Sequence, residues 1–268
     1  MFKVSPPLPC EAARIASIHI SSMSSNPLLH LQFPTPASIA HLHGHLAQDT
    51  LRHLAASRVL VARSSSSSSS SRNSHENSAK GDNASSPSPD SVASFVKWDL
   101  VGVPTLGSER LGAGERQRQH APAAKQQGGE ESHYQQQHQK KHVAVDEDEQ
   151  EDVWPVSANQ EYLTAYSTAA LSARKQAMGT RPFVHLTFLC TDDGFRGRGA
   201  GTALVRAVSD EAASRGLPVF LESTMDAAPF YKKLGFAKVG GFRISIPAKN
   251  GGEETYEEAC MLLEADAA

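Results

Sequence analysis

The sequence is short of the features that mark several functional classes. Its three cysteines, Cys10, Cys190 and Cys260, are odd in number, far apart and without metal-ligand spacing. They offer neither a disulfide framework nor a thiolate metal site, and they predict free thiols in a reducing compartment, cytoplasmic or nuclear. No apolar run reaches membrane-spanning length, so no membrane partner is expected. Charge of one sign is also missing: 26 lysines and arginines stand against 29 acids, a net charge of −3. That balance leaves no global footprint for nucleic acid, and any basic site has to be local. Met1 to Pro9 holds one lysine and three prolines, where a secretory leader has a basic stretch followed by an apolar run, so no leader is expected.

Apolar residues make up only 39% of the chain, and the shortage is concentrated in two segments. Ser64 to Pro89 reads "SSSSSSSSRNSHENSAKGDNASSPSP", with Ala79 and Ala84 its only apolar residues, so nothing offsets the chain entropy. Pro104 to Pro155 carries glutamine, glycine and histidine clusters, including His120, His133, His138 and His142, and ends in "DEDEQED". Such low-complexity stretches read as solvated spacers. The expectation is one domain over residues 1–268, interrupted by two disordered inserts at about 64–90 and 104–155. Oligomeric state is not readable.

What remains is patterned. Phe2 to Val4 reads as a short strand. Glu11 to Met23 reads as a helix with an apolar stripe at Ala12, Ile15, Ala16, Ile18 and Ile20, and Thr35 and Pro36 open a longer helix ending near Leu54. Ser57 to Arg63 and Ser91 to Val103 are strand-like. Ser157 to Gln160, "SANQ", fits a capping box opening a helix to Met178. Then follow a strand at Pro182–Thr191, a helix at Arg198–Arg215, a strand at Pro218–Ser223, a short helix at Ala227–Leu234, and strands at Ala237–Ile246 and Tyr256–Ala265. Gly216 and Gly235 stand where left-handed helix caps are needed. Pro229 falls in a first helical turn, and Lys232 and Lys233 complement a helix C-terminus.

The chemistry concentrates in "FRGRGAGTALV", Phe195 to Val205. A strand, a glycine-rich turn and a helix N-terminus together make an anion site, because the first helical N–H groups have no intrahelical partners. Gly197, Gly199 and Gly201 allow close backbone approach, and Thr202 adds a hydroxyl. Leu204, Val205, Val208 and Ala212 give the helix a face to pack on the sheet. A nucleotide P-loop needs a lysine after its last glycine, and Thr202 and Ala203 follow here instead. The dinucleotide pattern fits better, with Gly197 and Gly199 in place and Glu222 resembling the ribose-binding acid, but its third glycine comes one position early. The two strands that end the chain, with no helix between them, also oppose a repeated β-α-β sheet.

Arg196, Gly199 and Gly201 fill an R/Q-x-x-G-x-G/A pattern, and "FYKKLGF", Phe230 to Phe236, follows in the order Y-x-x-x-G-F. Together these resemble the GNAT superfamily of acetyl-CoA-dependent N-acetyltransferases, over about His185 to Phe236. The resemblance implies an α/β (α+β) fold with a mixed, mostly antiparallel central sheet and flanking helices, whose acetyl-CoA-binding core spans 183–264. It implies acetyl-CoA as cosubstrate, no metal, and a small-molecule or protein amine as acceptor. The strand at Leu186–Thr191, with Leu189, Cys190 and Thr191 nearest the loop, would splay from the next strand and bond the pantetheine arm. The amides of Arg198, Gly199, Ala200, Gly201 and Thr202 would cradle the pyrophosphate, with Arg196, Gly197 and Arg198 beside it. Tyr231 stands at the proton donor's position, or serves as an aromatic anchor of its helix. Glu222 is the first choice for the base, with Asp192 and Asp193 as alternatives. A catalytically silent acetyl-CoA-binding or interaction module is the competing reading. His41 and His45 share a helical face but have no third ligand nearby. Cys190, in a strand without a positioned histidine, reads as a core residue.

Overall fold

The computed structural model describes residues 2–64, 92–103, 154, 156–248 and 250–265. The two expected inserts, with their four histidines and acidic run, lie outside the described residues apart from Ser64 and Trp154. Among the described residues seven strands form one sheet: β1 Phe2–Ser5, β2 Val59–Ser64, β3 Val92–Val101, β4 Phe183–Thr191, β5 Val219–Thr224, β6 Ala237–Pro247 and β7 Glu253–Leu263. Their order is β1-β2-β3-β4-β5-β7-β6, and every adjacent pair is antiparallel except β4 with β5. The mostly antiparallel α/β sheet read from the sequence is therefore present.

Among the described residues six α-helices flank it: α1 Ala12–Ser22, α2 Pro27–Gln32, α3 Pro36–Ala55, α4 Gln160–Met178, α5 Ala200–Ser214 and α6 Ala228–Lys233. The Thr35 side chain caps α3 by accepting from the Ser38 amide, with Pro36 in the first turn, where its missing N–H costs nothing. The sequence reading missed α2, whose six residues are too few to show a period. Asn26 caps it from the side chain, and Pro27 opens it. A second correction concerns α4. Its cap is Asn159, which accepts from the Glu161 amide, in place of the Ser157 box, and Ser157 instead bonds the His41 ring at 2.7 Å.

Helix α5 covers one face of the sheet. Its Leu204, Val205, Val208 and Ala212 pack on Val96, Trp98, Val184, Leu186 and Leu221. The opposite face takes α1 through Ile15 and Ile18, against Val61, Phe95 and Cys190. It also takes α4 through Ala170, Ala173 and Met178, against Phe183, Phe220, Phe242 and Cys260. A charged pair is buried on this second face. Lys97, fully buried on β3, places its ammonium 2.6 Å from Asp49 of α3. Burial pulls that ammonium below its ordinary range, with Asp49 opposing. Asp49 also bonds His53. Burial would lower the His53 ring, but Asp49 and Asp99 outweigh it and raise the ring to about 9.

Two irregularities shape the centre. Trp98 stands opposite Leu186 and Lys97 opposite Phe188, so Thr187 is an extra residue on β4 and bends it. In β6 the register slips between Lys238 and Gly240. A Cβ on Gly241 would lie 2.6 Å from the Glu258 carbonyl oxygen, whereas one on Gly240 would meet its nearest neighbour at 3.8 Å. Glycine is thus required at Gly241 by close backbone approach. Gly241→Ala should cost about 1–3 kcal/mol as overpacking, lowering Tm by roughly 2–10 °C, while Gly240→Ala stays within about 2 °C. Calorimetric melting of the two variants checks this, and equal Tm values would contradict it.

Candidate active site

The parallel pairing of β4 with β5 consists of Val184 opposite Val219 and His185 opposite Phe220, and goes no further. Beyond that point the strands diverge, so the β5-facing backbone edge of Leu186 to Thr191 has no strand partner. The far edge of β4 stays tied to β3, as Thr191 stands opposite Ser94 and the Asp192 amide donates to Ala93. Unpaired strand edges seek hydrogen bonds, and an extended chain laid in the gap can supply them. The Thr187 hydroxyl is buried at the bend without a partner. An orphaned polar atom at the apex of an open strand pair fits a polar incoming chain.

The strand ends in a 3-10 turn, Asp193–Phe195, capped by Asp192, which accepts from Gly194 and pairs with Arg14 at 2.5 Å. The glycine loop follows. The amides of Gly197, Arg198, Gly199, Ala200, Gly201 and Thr202 donate to no protein group among the described residues. They lie at the positive end of α5, which is where a phosphate gains most. Gly197 and Gly199 have φ of 73° and 88°, left-handed values that disfavour other residues. Side chains added at either would point into open space, so the cradle is unobstructed. Gly201 does a different job: its Cα side lies against Phe230, Leu189 and Thr191, which seats the helix start on β4. The helix begins at Ala200 with Gly199 as its cap, two residues later than the sequence suggested. Both arginines are exposed. Arg196 pairs with Asp193 at 3.0 Å, and Arg198 sits 5.7 Å over the Phe195 ring.

Tyr231 on α6 is buried between Phe230 and Phe236, ring centroids 5.1 and 5.6 Å away. Burial holds its phenol well above the ordinary range, and Cys190 on the other arm of the gap adds to this. Its hydroxyl has no hydrogen-bond partner among the described residues, so it is a protonated, uncommitted donor. Cys190 itself is buried and pushed up to about 11, chiefly by desolvation, which suits a core thiol and not a nucleophile.

Glu222 faces the side of α4. Its carboxylate meets His185 Nε2 at 2.6 Å and Arg174 Nε at 3.0 Å. Burial alone would raise it, but those two partners overcome burial and hold the carboxyl at about 2. Neither His185 nor Arg174 was singled out from the sequence. Only the β4–β5 register makes His185 a diagonal neighbour of Glu222, and that register is not written in either strand. Asp192 is committed to Arg14 and Asp193 to Arg196. His41 bonds Ser157, and His45 stacks on Trp154 at 4.6 Å. Among the described residues no group of three or more His, Cys, Asp or Glu is placed to hold a metal ion.

Because Glu222 has a depressed folded pKa, about 2 against 4.5, it adds stability above about pH 4.5 that is lost as pH falls through 2. Wild type should exceed Glu222→Gln by about 2–4 kcal/mol at pH 6, and the gap should close toward pH 2. Urea melts across that range check it, and a gap independent of pH would contradict it.

Residues 120–244 match the family model of the acetyltransferase (GNAT) domain. Among curated proteins, a glucosamine 6-phosphate N-acetyltransferase of Trypanosoma brucei brucei is 34% identical over 71 residues, 26% of this chain and 48% of that protein. The chain thus spans about half the length of this curated relative. Two solved structures from the yellow fever mosquito Aedes aegypti share the fold. Arylalkylamine N-acetyltransferase 2 has a TM-score of 0.50 at 13% identity and 99% coverage of both chains. Arylalkylamine N-acetyltransferase 7 has a TM-score of 0.52 at 12% identity, covering 99% of this chain and 88% of that one.

Proposed function

We propose that this chain, which carries the acetyltransferase domain of the GNAT superfamily, transfers an acetyl group from acetyl-CoA to a primary amine. The observation that carries the reading is the opened β4–β5 pair running directly into a loop of uncommitted amides. Acetyl-CoA supplies the activated thioester. The amides of Gly197 to Thr202 hold its pyrophosphate, and the free edge of Leu186 to Thr191, with Leu189, Cys190 and Thr191 nearest the loop, binds the pantetheine arm as an added strand. Arg196 and Arg198 contribute positive charge at the rim.

Two proton movements are needed. An ammonium with an ordinary pKa of about 10.4 is not a nucleophile until it loses a proton. Glu222, held near 2 by its partners, is too weak a base to take that proton alone. It acts through His185, accepting from Nε2 and leaving Nδ1 as the proton acceptor. Nitrogen then attacks the thioester carbonyl, the C–S bond breaks, the departing sulfur takes a proton from the Tyr231 hydroxyl, and the proton shed by the nitrogen as it becomes an amide restores that hydroxyl. The proton on His185 returns to solvent. The free thiols at Cys10, Cys190 and Cys260 support a reducing compartment, the cytoplasm or nucleus.

Acetyl-CoA at one hundred times its Kd should stabilise the protein by about 2.7 kcal/mol, a Tm gain of roughly 5–10 °C, and NAD should give none. Gly199→Trp should abolish the gain. A gain with NAD alone would sink the reading. In thiol-release assays with an amine panel, His185→Gln and Tyr231→Phe should each lower kcat about 10²-fold or more with the acetyl-CoA Tm gain intact. An unchanged rate in Tyr231→Phe would exclude Tyr231 as donor.

A further inference from the structure

Glu258 of β7 is a buried acid without a cation. It is 5% exposed, yet no lysine, arginine or histidine among the described residues forms an ion pair with it. Other shielded carboxylates are matched: Glu11 by Arg63, Asp49 by Lys97, Asp192 by Arg14, and Glu222 by Arg174 and His185. Glu258 has phenols instead. Tyr166 of α4 donates to it at 3.0 Å and Tyr256 of β7 at 2.5 Å, while Asn26, ahead of α2, donates to the Tyr256 oxygen at 3.0 Å. Three separate parts of the chain thus converge on one acid.

Its position ties it to the proposed chemistry. Glu258 stands opposite Thr224 of β5, and Glu222 stands opposite Cys260, so the two acids are diagonal neighbours on the same face of the sheet. Glu258 is the one nearer the open end of the β4–β5 gap. Burial raises its carboxyl, the two phenols resist, and the charge of Glu222 adds to the rise. The guanidinium of Arg174 is spent on Glu222. A buried carboxylate is expensive until a counter-charge or a proton meets it, and Glu258 has only its two phenols among the described residues.

Resting on the acetyl-transfer reading, we propose that Glu258, framed by Tyr166, Tyr256 and Asn26, is the docking point for the ammonium form of the acceptor, which supplies the cation the fold leaves out. The substrate class is a primary ammonium carried on an apolar body, because the ring of Phe242 packs edge-on to Tyr166 at 5.4 Å beside the acid, and aromatic faces attract cations as well. The ammonium holds the carboxylate only while charged. Once it passes its proton to His185 the neutral amine loses that attraction and is released toward the thioester. The uncharged amide product gains nothing at Glu258, so the site also favours product departure.

Calorimetry on the full chain saturated with CoA tests this, with n-butylammonium and 2-phenylethylammonium as probes and 1-butanol and 2-phenylethanol as uncharged counterparts. Saturable binding of an ammonium is expected, with its alcohol at least tenfold weaker. Glu258→Gln should weaken the ammonium at least tenfold while keeping the acetyl-CoA Tm gain. Should that variant not fold, the amine-to-alcohol ratio of the wild type decides alone. The proposal is overturned by amine and alcohol binding alike, by ammonium binding to Glu258→Gln within twofold of wild type, or by no probe binding. Absence of any acetyl-CoA gain in the wild type would overturn the acetyl-transfer reading beneath it as well.

Discussion

Two strands that pair for two residues and then part govern the rest of this fold. The gap is held open from outside. β5 is paired with β7 along its whole length, Val219 to Thr224, and β4 is paired with β3 out to Thr191. Closing the gap would require breaking one of these ladders. The bend at Thr187 starts the divergence, and the His185–Glu222 contact bridges the strands just above it. An unpaired interior edge is a cost the fold bears wherever backbone groups are left without partners, and it makes sense only if something else bonds there.

The sheet then separates two kinds of chemistry. On the face of α5 the surroundings are apolar up to the loop, and the loop presents backbone N–H groups, which bind an anion without contributing a titratable group. On the opposite face the groups are ionisable, with His185 and Glu258 buried and Arg174, Glu222 and Tyr166 half-buried. Thioester recognition and proton handling are thus assigned to opposite sides of one sheet, and they meet only through the opening between β4 and β5. Tyr231 reaches that opening from α6, and Cys190 lines it from β4.

Much of the frame was legible in the sequence because it depends on local signals. The glycine loop, the strand before it and the amphipathic helix after it are adjacent in the chain, and Gly216 and Gly235 mark helix ends by a conformation few other residues adopt. Helix α2 escaped because it rests on one cap and one proline. The candidate site was legible only in its cosubstrate half. Glu222 could be placed at a strand end, but its fixed ionisation depends on Arg174, 48 residues before it, and on a register that no single strand encodes. The Glu258 cluster joins residues 26, 166, 256 and 258, a set that periodicity cannot assemble.

One feature of β3 bears on how the chain finds this arrangement. β3 begins 28 residues beyond the end of β2 and ends 82 residues before β4 begins, so both of its pairings join distant parts of the chain. Closing such spans costs little extra equilibrium free energy, since the loss grows logarithmically with length, but distant pairings are slow to form. Alignment therefore has to be specified by side chains. Lys97 does this: a slip of one residue would carry its ammonium away from Asp49 to the face where Val96 and Trp98 lie among apolar neighbours. The buried charge works as an index mark, rejecting misaligned sheets whose apolar pattern would otherwise be nearly as good, and so guarding the strand on which β4 is laid.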